Sequence, residues 1–483
     1  MTSTLVNRQH ELAELHRLLA SGSRKLGLIT GRRRVGKTFL LTHAWDDERV
    51  FLFTASRTTS EINRRQLLED FAAWSGEEIR TEDYPTWRTV FSLLLATGSD
   101  EALVFVLDEF QYLADETSGV AAVASELNAV WERMRGERQL LLLLSGSAVG
   151  TMEALAAGGG PLYGRFNWQH RLQPFDYRHA AEMAPFTDLR DRALTYGIFG
   201  GTPHYLAAID TSQTLVENVT RLMLSPSGEV RLLVETALDQ EEGLRDVAKY
   251  RAILHAIAAG CTERNDIAQR TGLSNDRGLR DKLERLIELG YVETRQNIDA
   301  RRNDPVRYGM ADAAFRFYHR FVEPSTSMLE RYPAERVWDG SVVSQLDQYM
   351  GHEFERMARQ AYDRRAVDLG LSLVKRWGRW EGADRAGRSM EIDLVAELVH
   401  GAMLTGSVKW NTKPIGSDVH WAHIDMLERA AHAGRAWAHN ALEPEASILY
   451  VTAGGFADDF IMSIQDADQN VICWSLEDLY GRT

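Results

Sequence analysis

A lysine and a threonine near the start of the chain have the residue types and spacing for phosphate chemistry. Residues 31–38, GRRRVGKT, fit the phosphate-loop pattern G-x-x-x-x-G-K-[ST]. In that pattern glycines let backbone N–H groups face a phosphate, the lysine reaches the β- and γ-phosphates, and the hydroxyl ligates Mg²⁺. The alternative is an ordinary glycine turn. We predict that ATP and Mg²⁺ bind here and that the contacting residues are Gly31, Arg34, Val35, Gly36, Lys37, Thr38 and Phe39.

Two carboxylates, Asp108 and Glu109, follow the apolar run 102–107. A continuous apolar run of this kind is typical of a buried parallel strand, and ligands bind at the carboxyl end of such strands. We expect Asp108 to hold Mg²⁺ and Glu109 to act as the general base that deprotonates the attacking water. The alternative is that the two acids only cap the next helix.

Three further side chains have the chemistry to act on a γ-phosphate. Ser145 and Ser147 follow the predicted strand 139–144, where a hydroxyl can sense the γ-phosphate or position the water. Arg165 ends the glycine-rich loop 158–165, and an arginine on such a loop can stabilise the transferring phosphate from its own or a neighbouring subunit. The alternatives are a plain turn for the serines and a surface position for the arginine.

Strands and helices must bring these side chains together. Apolar runs predict a strand before the phosphate loop and further strands at 50–54, 102–107 and 139–144. An amphipathic helix is predicted to begin at Asn7 and Arg8, ahead of the first strand. Asn7 is a good N-cap residue, so the pair either starts a capped helix or contacts the adenine or ribose.

Composition limits the classes of protein that the chain can represent. Its 483 residues are 44% hydrophobic and 26% charged, as in globular proteins with sizeable cores. The formal net charge of −14 argues against a surface coated with nucleic acid but leaves room for a local basic patch. Cys261 and Cys473 lack metal-ligand spacing, and the sequence shows neither a secretory signal nor an apolar run of membrane-spanning length. We therefore expect a cytoplasmic protein without disulfides.

Six motifs occur in order along the first 240 residues: VNRQHEL, GRRRVGKT, LVFVLDEFQYL, LLLLSGS, PLYGR and GGTPHYL. With them the chain resembles the archaeal-type ATPases, also found in bacteria, of the AAA+-related STAND group. The resemblance implies an α/β P-loop core with a helical lid, and ATP hydrolysis used as a conformational switch. It also implies that Pro203, in the Gly-Gly-x-Pro turn, lies near the bound nucleotide.

The region 247–312 has the layout of a winged helix-turn-helix. Three short amphipathic helices are followed by two short runs, 291–294 and 306–310, that can pair as a wing. We expect Ser274 to cap the third helix. Candidate contacts to duplex DNA are Asn275, Arg277 and Arg280 in the third helix and Arg301, Arg302 and Arg307 in the wing. Acidic residues nearly balance these charges, so the alternative is a winged helix used for packing or autoinhibition.

The last part of the chain combines a helix around Glu355, a strand that carries Asp393 and a second strand that reaches Lys409. This layout resembles the PD-(D/E)xK nucleases, and the segment also resembles the C-terminal domain commonly fused to these ATPases. A working site needs a carboxylate two residues before the lysine, where this chain has Ser407. One secure carboxylate is a poor Mg²⁺ site unless Glu355 or Glu391 substitutes. We expect a nuclease-like domain that docks DNA or protein without cutting.

These motifs predict an α/β protein in four parts. They are a P-loop AAA+-like ATPase core at 1–180, a helical lid at 181–245, a winged helix-turn-helix with an aromatic helix at 246–323, and a nuclease-like α/β domain at 324–483. The expected function is an ATP-hydrolysing switch that acts on duplex DNA or a DNA-bound partner. The alternatives are a signalling or defence switch that assembles with protein partners or with itself, and an ATP-gated nuclease.

Overall fold

The chain forms two compact units, Met1–Pro174 and Phe175–Thr483. The computed structural model describes residues 6–45, 50–97, 102–115, 119–134, 139–241, 244–301, 304–465 and 467–481. The division between the units follows Pro174, whereas the ATPase core was predicted to end at residue 180, and all the predicted domain boundaries stay predictions. No helix within the described ranges is long and apolar enough to cross a membrane.

A five-stranded parallel sheet organises the first unit. Its strands are β1 (Lys25–Thr30), β2 (Val50–Thr54), β3 (Leu103–Asp108), β4 (Leu140–Gly146) and β5 (Trp168–Arg171). Their order across the sheet is β2-β3-β4-β1-β5, and all neighbours run parallel. The carboxyl ends of β1, β3 and β4 therefore lie at one edge, where the residues that follow them can meet. The predicted α/β core is confirmed.

Helices cover both faces of this sheet. They are α1 (Gln9–Ala20), α2 (Lys37–Thr42), α3 (Ser60–Ser75), α4 (Trp87–Ala96), α5 (Gly119–Arg133) and α6 (Val149–Ala156), with 3-10 turns at Thr81–Asp83 and Phe110–Leu113. Along β3, Val104 and Val106 pack into one apolar layer, while Phe105 and Leu107 pack into the other. Because side chains alternate along a strand, a strand buried on both faces must be apolar throughout.

The second unit begins with a group of short helices. They are α7 (Tyr177–Met183), α8 (Leu189–Phe199), α9 (Pro203–Ala207), α10 (Leu215–Val219) and α11 (Glu229–Glu235), with a π-helical turn at Thr220–Leu224 and a 3-10 turn at Leu238–Gln240. A Cβ at Gly201 would lie 1.8 Å from the carbonyl oxygen of Phe175, so only glycine fits there. Pro203 occupies the first position of α9, where its missing N–H and fixed φ suit a helix start.

Three helices and a two-stranded hairpin follow. They are α12 (Val247–Ala258), α13 (Arg264–Thr271), α14 (Arg277–Glu288), β6 (Val292–Arg295) and β7 (Arg307–Met310), with the two strands antiparallel. The prediction that Ser274 caps the third helix is wrong. The Asp276 side chain caps α14 instead, accepting hydrogen bonds from the N–H groups of Gly278 at 2.8 Å and Leu279 at 3.3 Å.

A run of helical segments then leads to the C-terminal sheet. It comprises α15 (Ala313–Phe317), α16 (Thr326–Leu329), α17 (Ala334–Val337) and α18 (Val343–Arg365), with π-helical turns at Tyr318–Val322 and Trp338–Val342 and a 3-10 turn at Glu323–Ser325. The predicted aromatic helix is thus α15 and the turn after it. Phe315 and Phe317 of this helix are buried, in agreement with a packing role.

A mixed five-stranded sheet forms the end of the second unit. Its strands are β8 (Val374–Ala383), β9 (Ser389–Leu398), β10 (Met403–Lys409), β11 (Ser447–Thr452) and β12 (Asn470–Trp474), in the order β12-β11-β10-β9-β8. The pairs β8–β9 and β9–β10 are antiparallel and the other two are parallel. The remaining helices are α19 (Ser417–His432), α20 (Ala436–Ala441), α21 (Asp458–Ser463) and α22 (Leu476–Tyr480). Phe354 of α18 packs with Leu394 on one face, and Leu427 of α19 packs with Val395 on the other.

Candidate active site

The loop between β1 and α2 is held in shape by glycine and by close packing. Gly36 has φ 91°, in the region that favours glycine, and a Cβ at Gly31 would lie 2.7 Å from the carbonyl oxygen of Leu172. Arg34 also has a positive φ, 70°, whereas Val35 is buried and anchors the loop to the apolar layer below. The backbone of the predicted phosphate loop is therefore turned as such a loop requires.

The ammonium group of Lys37 lies inside this loop. Its Nζ donates hydrogen bonds to the carbonyl oxygens of Gly31 at 2.9 Å and Arg32 at 3.2 Å, and the residue is only 5% exposed. A buried cation needs partners of this kind because burial away from water is costly. The lysine is thus held where the loop folds around it.

Thr38 and Asp108 meet at the edge of the sheet although they are far apart in sequence. The Thr38 hydroxyl donates to Asp108 Oδ2 at 2.6 Å, and Asp108 is 1% exposed at the end of β3. The other Asp108 oxygen accepts from the N–H of Glu109 at 3.0 Å. A hydroxyl beside a carboxylate is a hard-oxygen donor pair, which suits Mg²⁺. The two residues predicted as metal ligands are therefore brought together.

Glu109 is held in an unusual backbone conformation by the end of the neighbouring strand. It has φ 52° and ψ 43°, which strains a residue other than glycine. Its Oε2 accepts from the Ser147 hydroxyl at 2.6 Å and the Ser147 N–H at 3.3 Å, and it also accepts from the Gln111 side-chain amide. The side chain of Glu109 makes no cap bond to the turn that follows, so capping does not explain this carboxylate.

The two candidate serines lie in different surroundings. Ser147 contacts Glu109, as just described, whereas Ser145 is fully buried at the end of β4. Among the described residues, the Ser145 hydroxyl and the side-chain oxygen of Gln111 are buried without a hydrogen-bond partner. Buried polar atoms of this sort are uncommon and often mark functional sites. Of the two serines, Ser147 is the one that is hydrogen-bonded to the predicted base, Glu109.

Asn7 does not cap the first helix, so that interpretation is wrong. Arg8 occupies the N-cap position with φ 89°, and no side chain caps the helix there. The Arg8 guanidinium donates to the carbonyl oxygens of Gln173 at 2.7 Å and Val35 at 3.4 Å, and it pairs with Glu11 at 3.2 Å. Arg8 thus supports the phosphate loop from below, and its contact with the base or ribose stays a prediction, as does that of Asn7.

Glu11 completes a small charged cluster beneath the loop. It lies 3.5 Å from the His170 ring and beside Arg8. Burial raises the pKa of Glu11, but the hydrogen bond to His170, a backbone hydrogen bond and the Arg8 charge outweigh it and lower that pKa to about 2. The carboxylate therefore stays ionised and keeps Arg8 in place.

Three other predicted residues have defined positions whose roles stay predictions. Arg165 donates to Asn128 at 3.1 Å and forms an ion pair with Glu132, so its guanidinium is engaged by α5. Phe39 is 36% exposed on α2, where its ring stacks on His43 at 4.1 Å between centroids. Pro203 belongs to the second unit, as described above.

Sequence reasoning missed two residues of this site, Gln111 and Tyr112. Gln111 donates to Glu109, and the Tyr112 hydroxyl accepts a hydrogen bond from Arg33 of the phosphate loop. Both lie in the 3-10 turn directly after β3, and that turn follows the strained Glu109. The signal available in the sequence was the polar pair inside the otherwise apolar segment FQYL.

The third helix, α14, carries exposed charges of both signs. Arg277 has an 89% exposed side chain and lies 3.7 Å from Asp281, one helical turn away. Asn275 donates to Asn265 of α13, and Arg280 is exposed on α14. Arg302 lies outside the described residues, so its contact with DNA stays a prediction. The face that would meet DNA is therefore mixed in charge.

The hairpin is fastened to the edge of the C-terminal sheet. After β6, the Ile298 N–H donates to the carbonyl oxygen of Arg379 in β8 at 2.8 Å. The Asn297 side chain donates to the carbonyl oxygen of Glu381 at 2.8 Å and accepts from its N–H at 3.2 Å. Arg307 of β7 forms an ion pair with the Glu381 carboxylate. The contact of Arg307 with DNA stays a prediction, and in this structure its guanidinium is paired with Glu381.

The nuclease-like residues are arranged around hydrogen bonds rather than around an open carboxylate pair. Asp393 Oδ2 accepts from the Ser407 hydroxyl at 3.0 Å, the Val408 N–H at 2.8 Å and Lys409 Nζ at 3.1 Å. Glu355 lies 3.6 Å from His352 and lines, together with Asp393, a cavity of about 320 Å³. The serine thus satisfies the aspartate at the position where a second carboxylate would have shared a cation.

Comparisons with known proteins agree with the geometry of the first unit. Residues 5–209 match the family described as an ATPase domain predominantly from Archaea. Residues 318–422 match a second family, described as archaeal and bacterial proteins of unknown function. An uncharacterized protein of Methanocaldococcus jannaschii is 25% identical over 400 residues, which cover 81% of this chain and 84% of the relative.

Two solved structures can be matched to about two thirds of the chain. The Walker-type ATPase of Pyrococcus abyssi is 19% identical, with a TM-score of 0.47 over 65% of this chain and 96% of that one. The ORC2 protein of Aeropyrum pernix, solved in ADPNP and ADP complexes, is 15% identical, with a TM-score of 0.43 over 67% and 94% of the two chains. The match at residues 5–209 covers the same segment that holds the phosphate loop and the Thr38–Asp108 pair, and the chain is an ATPase.

Proposed function

We propose that this ATPase is a conformational switch in which nucleotide controls the release of Glu109. The observation that carries the proposal is the set of hydrogen bonds from Ser147 and Gln111 to a single oxygen of Glu109. A general base must have its lone pair directed at water, and this oxygen already accepts several donors. These donors fix the direction of the carboxylate, so in this proposal bound nucleotide rearranges them and turns Glu109 toward the attacking water.

The chain offers a residue for each part of phosphoryl transfer. Lys37 can replace its hydrogen bonds to the carbonyl oxygens of its own loop with hydrogen bonds to the β- and γ-phosphate oxygens of ATP. Thr38 and Asp108 would hold Mg²⁺, which when bound neutralises charge on those phosphate oxygens. Glu109 would orient and deprotonate the water for in-line attack on the γ-phosphate.

Steady-state ATP hydrolysis by the wild type and by Glu109→Gln tests this assignment. The amide keeps the shape of the carboxylate but cannot take a proton, so we expect turnover to fall by about 100-fold or more while ATP still binds. Glu69→Gln, a 61% exposed carboxylate on α3, is the matched control and should keep wild-type turnover. Equal turnover in wild type and Glu109→Gln would remove Glu109 from the role of base.

We further propose that the switch acts on duplex DNA or on a DNA-bound partner. Three helices followed by an antiparallel hairpin support this target, because that order is typical of winged helices. Asn275, Arg277 and Arg280 are exposed at the start of α14, the position from which a recognition helix reaches base edges. The proposal also includes Arg165, which would stabilise the transferring phosphate from its own or a neighbouring subunit. It further places the protein in the cytoplasm.

A protein-directed signalling switch is the second candidate, and the fastening of the hairpin favours it. Asn297 and Ile298 are hydrogen-bonded to β8, and Arg307 is paired with Glu381. A wing fixed in this way is used for packing, and α14 has three exposed acids, Asp281, Glu284 and Glu288, but two exposed bases, Arg277 and Arg280. On this alternative ATP drives assembly with another protein or with a second copy.

ATP turnover and DNA binding at several salt concentrations separate the two candidates. The DNA proposal predicts that duplex DNA raises turnover, that binding weakens steeply with salt, and that Arg277→Ala weakens binding. Arg65→Ala, an exposed arginine on α3, is the control for charge alone. Turnover indifferent to DNA, with ATP-dependent assembly, would favour the protein-directed switch.

We propose that the C-terminal sheet docks a partner and does not cut nucleic acid. The three donors to Asp393 and the serine at the second ligand position support this. Incubation of supercoiled and linear DNA with Mg²⁺ or Mn²⁺ should leave both intact. Cleavage that disappears in Asp393→Ala would instead establish an ATP-gated nuclease.

A further inference from the structure

Two histidines and a glutamate converge at a place far from the phosphate loop in sequence. His255 lies in the last turn of α12, His319 in the π-helical turn after α15, and Glu323 at the start of the next 3-10 turn. Both imidazoles direct Nδ1 at the same oxygen, Glu323 Oε2, at 3.1 Å from His255 and 2.7 Å from His319. The three candidate ligand atoms lie within 4.8 Å of one another.

The donor set selects a class of metal ion. Two imidazole nitrogens and one carboxylate oxygen suit Zn²⁺ and related transition metals, whereas Mg²⁺ and Ca²⁺ prefer oxygen ligands alone. Zinc takes Zn–N distances of about 2.0–2.1 Å and Zn–O distances of about 2.0–2.2 Å in proteins. Those bonds separate tetrahedral ligands by roughly 3.3 Å, so the observed spacings need only small side-chain rotations.

The three side chains differ in burial in a way that suits an ion entering from solvent. The side chain of His319 is 10% exposed, that of Glu323 35% and that of His255 53%. One ligand is therefore fixed against the protein interior, while the other two can close over an ion. A fourth position on the open side is available to water, as zinc sites with three protein ligands require.

The charge state of the cluster also fits a cation. A glutamate carboxylate is ionised at neutral pH, as a metal ligand must be. A metal ion would replace the two imidazole protons that now face the same oxygen.

We propose that His255, His319 and Glu323 form a site for a Zn²⁺-class transition metal ion, which clamps α12 to the helical turns at 318–325. His255 and Glu323 are 68 residues apart, so the ion would cross-link α12 to a segment that lies after the hairpin. The role of the ion follows from where its ligands lie. It would join α12 to the segment that follows the hairpin and stabilise the packing between them.

Zinc binding to the full-length protein tests the site. Zn²⁺ affinity and stoichiometry are measured without nucleotide by competition with a chromogenic chelator, and thermal unfolding is followed with and without Zn²⁺. We expect one high-affinity ion per chain and a Zn²⁺-dependent rise in Tm that MgCl₂ does not reproduce. His255→Gln and Glu323→Gln should weaken binding by about tenfold or more and remove the rise in Tm. These two ligands are chosen because they are partly exposed, so the variants should still fold.

His204→Ala is the matched control. His204 lies 3.7 Å from Glu229 and is 50% exposed, so it has the same residue types but lacks a second imidazole. This variant should bind Zn²⁺ like the wild type. The proposal is overturned if the wild type takes up no zinc, or if both ligand variants retain wild-type affinity and the zinc-dependent rise in Tm.

Discussion

Glu109 combines a strained backbone with a carboxylate that already accepts several hydrogen bonds. Positive φ at a residue other than glycine costs about 1–3 kcal/mol and persists where the surroundings impose it. Here the surroundings are Ser147 and Gln111, which follow β4 and β3. The position of this one side chain therefore depends on two neighbouring strand ends and can respond to whatever binds between them.

Ser147→Ala should raise the basal rate of ATP hydrolysis by about threefold or more. The substitution removes the 2.6 Å hydrogen bond that holds Glu109, and a hydrogen bond to a charged group contributes about 1.5–3 kcal/mol. Single-turnover and steady-state kinetics measure the effect. Ser125→Ala on α5 is the control, since that hydroxyl bonds only to its own helix. A lower rate would mean that Ser147 aims the base rather than restraining it.

His423 should make the second unit less stable as the pH falls from 6.5 to 4. The residue is buried on α19, and burial lowers its pKa to about 4, with the Asp393 charge opposing. In this window the unfolded chain binds a proton that the folded chain does not, so the free energy of unfolding drops by about 3 kcal/mol in total.

Urea unfolding at several pH values measures this dependence. His423→Gln should flatten the profile between pH 6.5 and pH 4, because the titrating group is gone. His400→Gln, at an exposed turn between β9 and β10, should leave the slope as in the wild type. The same slope in both variants would assign the dependence to other groups.

At the scale of elements, glycine has different effects on stability in two helices, α8 and α18. Gly351 lies within α18, and a Cβ there would meet nothing within 4 Å among the described residues. Gly197 lies within α8, and a Cβ there would come within 2.4 Å of the Met350 sulfur. Gly197 allows the two helices to approach closely, whereas Gly351 only adds freedom to the unfolded chain.

The same substitution at these two glycines should therefore change stability in opposite directions. Gly351→Ala should stabilise the protein by about 0.5–1 kcal/mol, because alanine has the higher helix propensity. Gly197→Ala should destabilise it by about 1 kcal/mol, because the methyl group displaces the fully buried end of the Met350 side chain and this cost exceeds the gain in helix propensity. Chemical denaturation of the two variants beside the wild type gives both values. Destabilisation by Gly351→Ala would contradict the open space seen at that position.

At the scale of the molecule, the chain consists of two compact units, and only the first contains the phosphate loop. A ligand that binds one folded unit stabilises that unit by mass action. We expect two unfolding transitions in calorimetry. ATP with Mg²⁺ should raise the Tm of only one of them, because at a hundredfold excess over Kd the ligand adds about 2.7 kcal/mol to the free energy of unfolding of that unit.

Lys37→Ala should remove the nucleotide-dependent shift. The variant loses the buried ammonium that fills the loop, and with it the charge that would meet the phosphates. Lys375→Ala, on an exposed part of β8, is the control and should respond to nucleotide like the wild type. A shift that persists in Lys37→Ala would place the nucleotide elsewhere.

Much of the first unit was predictable because its signals are local. The phosphate loop is a contiguous pattern, and the apolar runs of β3 and β4 followed from strands buried on both faces. Local chemistry also misled in places. Asn7 and Ser274 are good N-cap residues, yet Arg8 and Asp276 occupy the N-cap positions, since the chain path decides which residue faces the helix end.

The sequence by itself therefore predicted the phosphate loop, its residue types and the strands that carry it. Only the tertiary structure decided what each side chain contacts: Ser147 on Glu109, Arg8 on Gln173, and Arg307 on Glu381. Such pairs join residues that are distant in the chain, and their existence depends on sheet order and packing. Spacing along a sequence carries no record of which strand ends become neighbours, so these contacts appear only in the folded molecule.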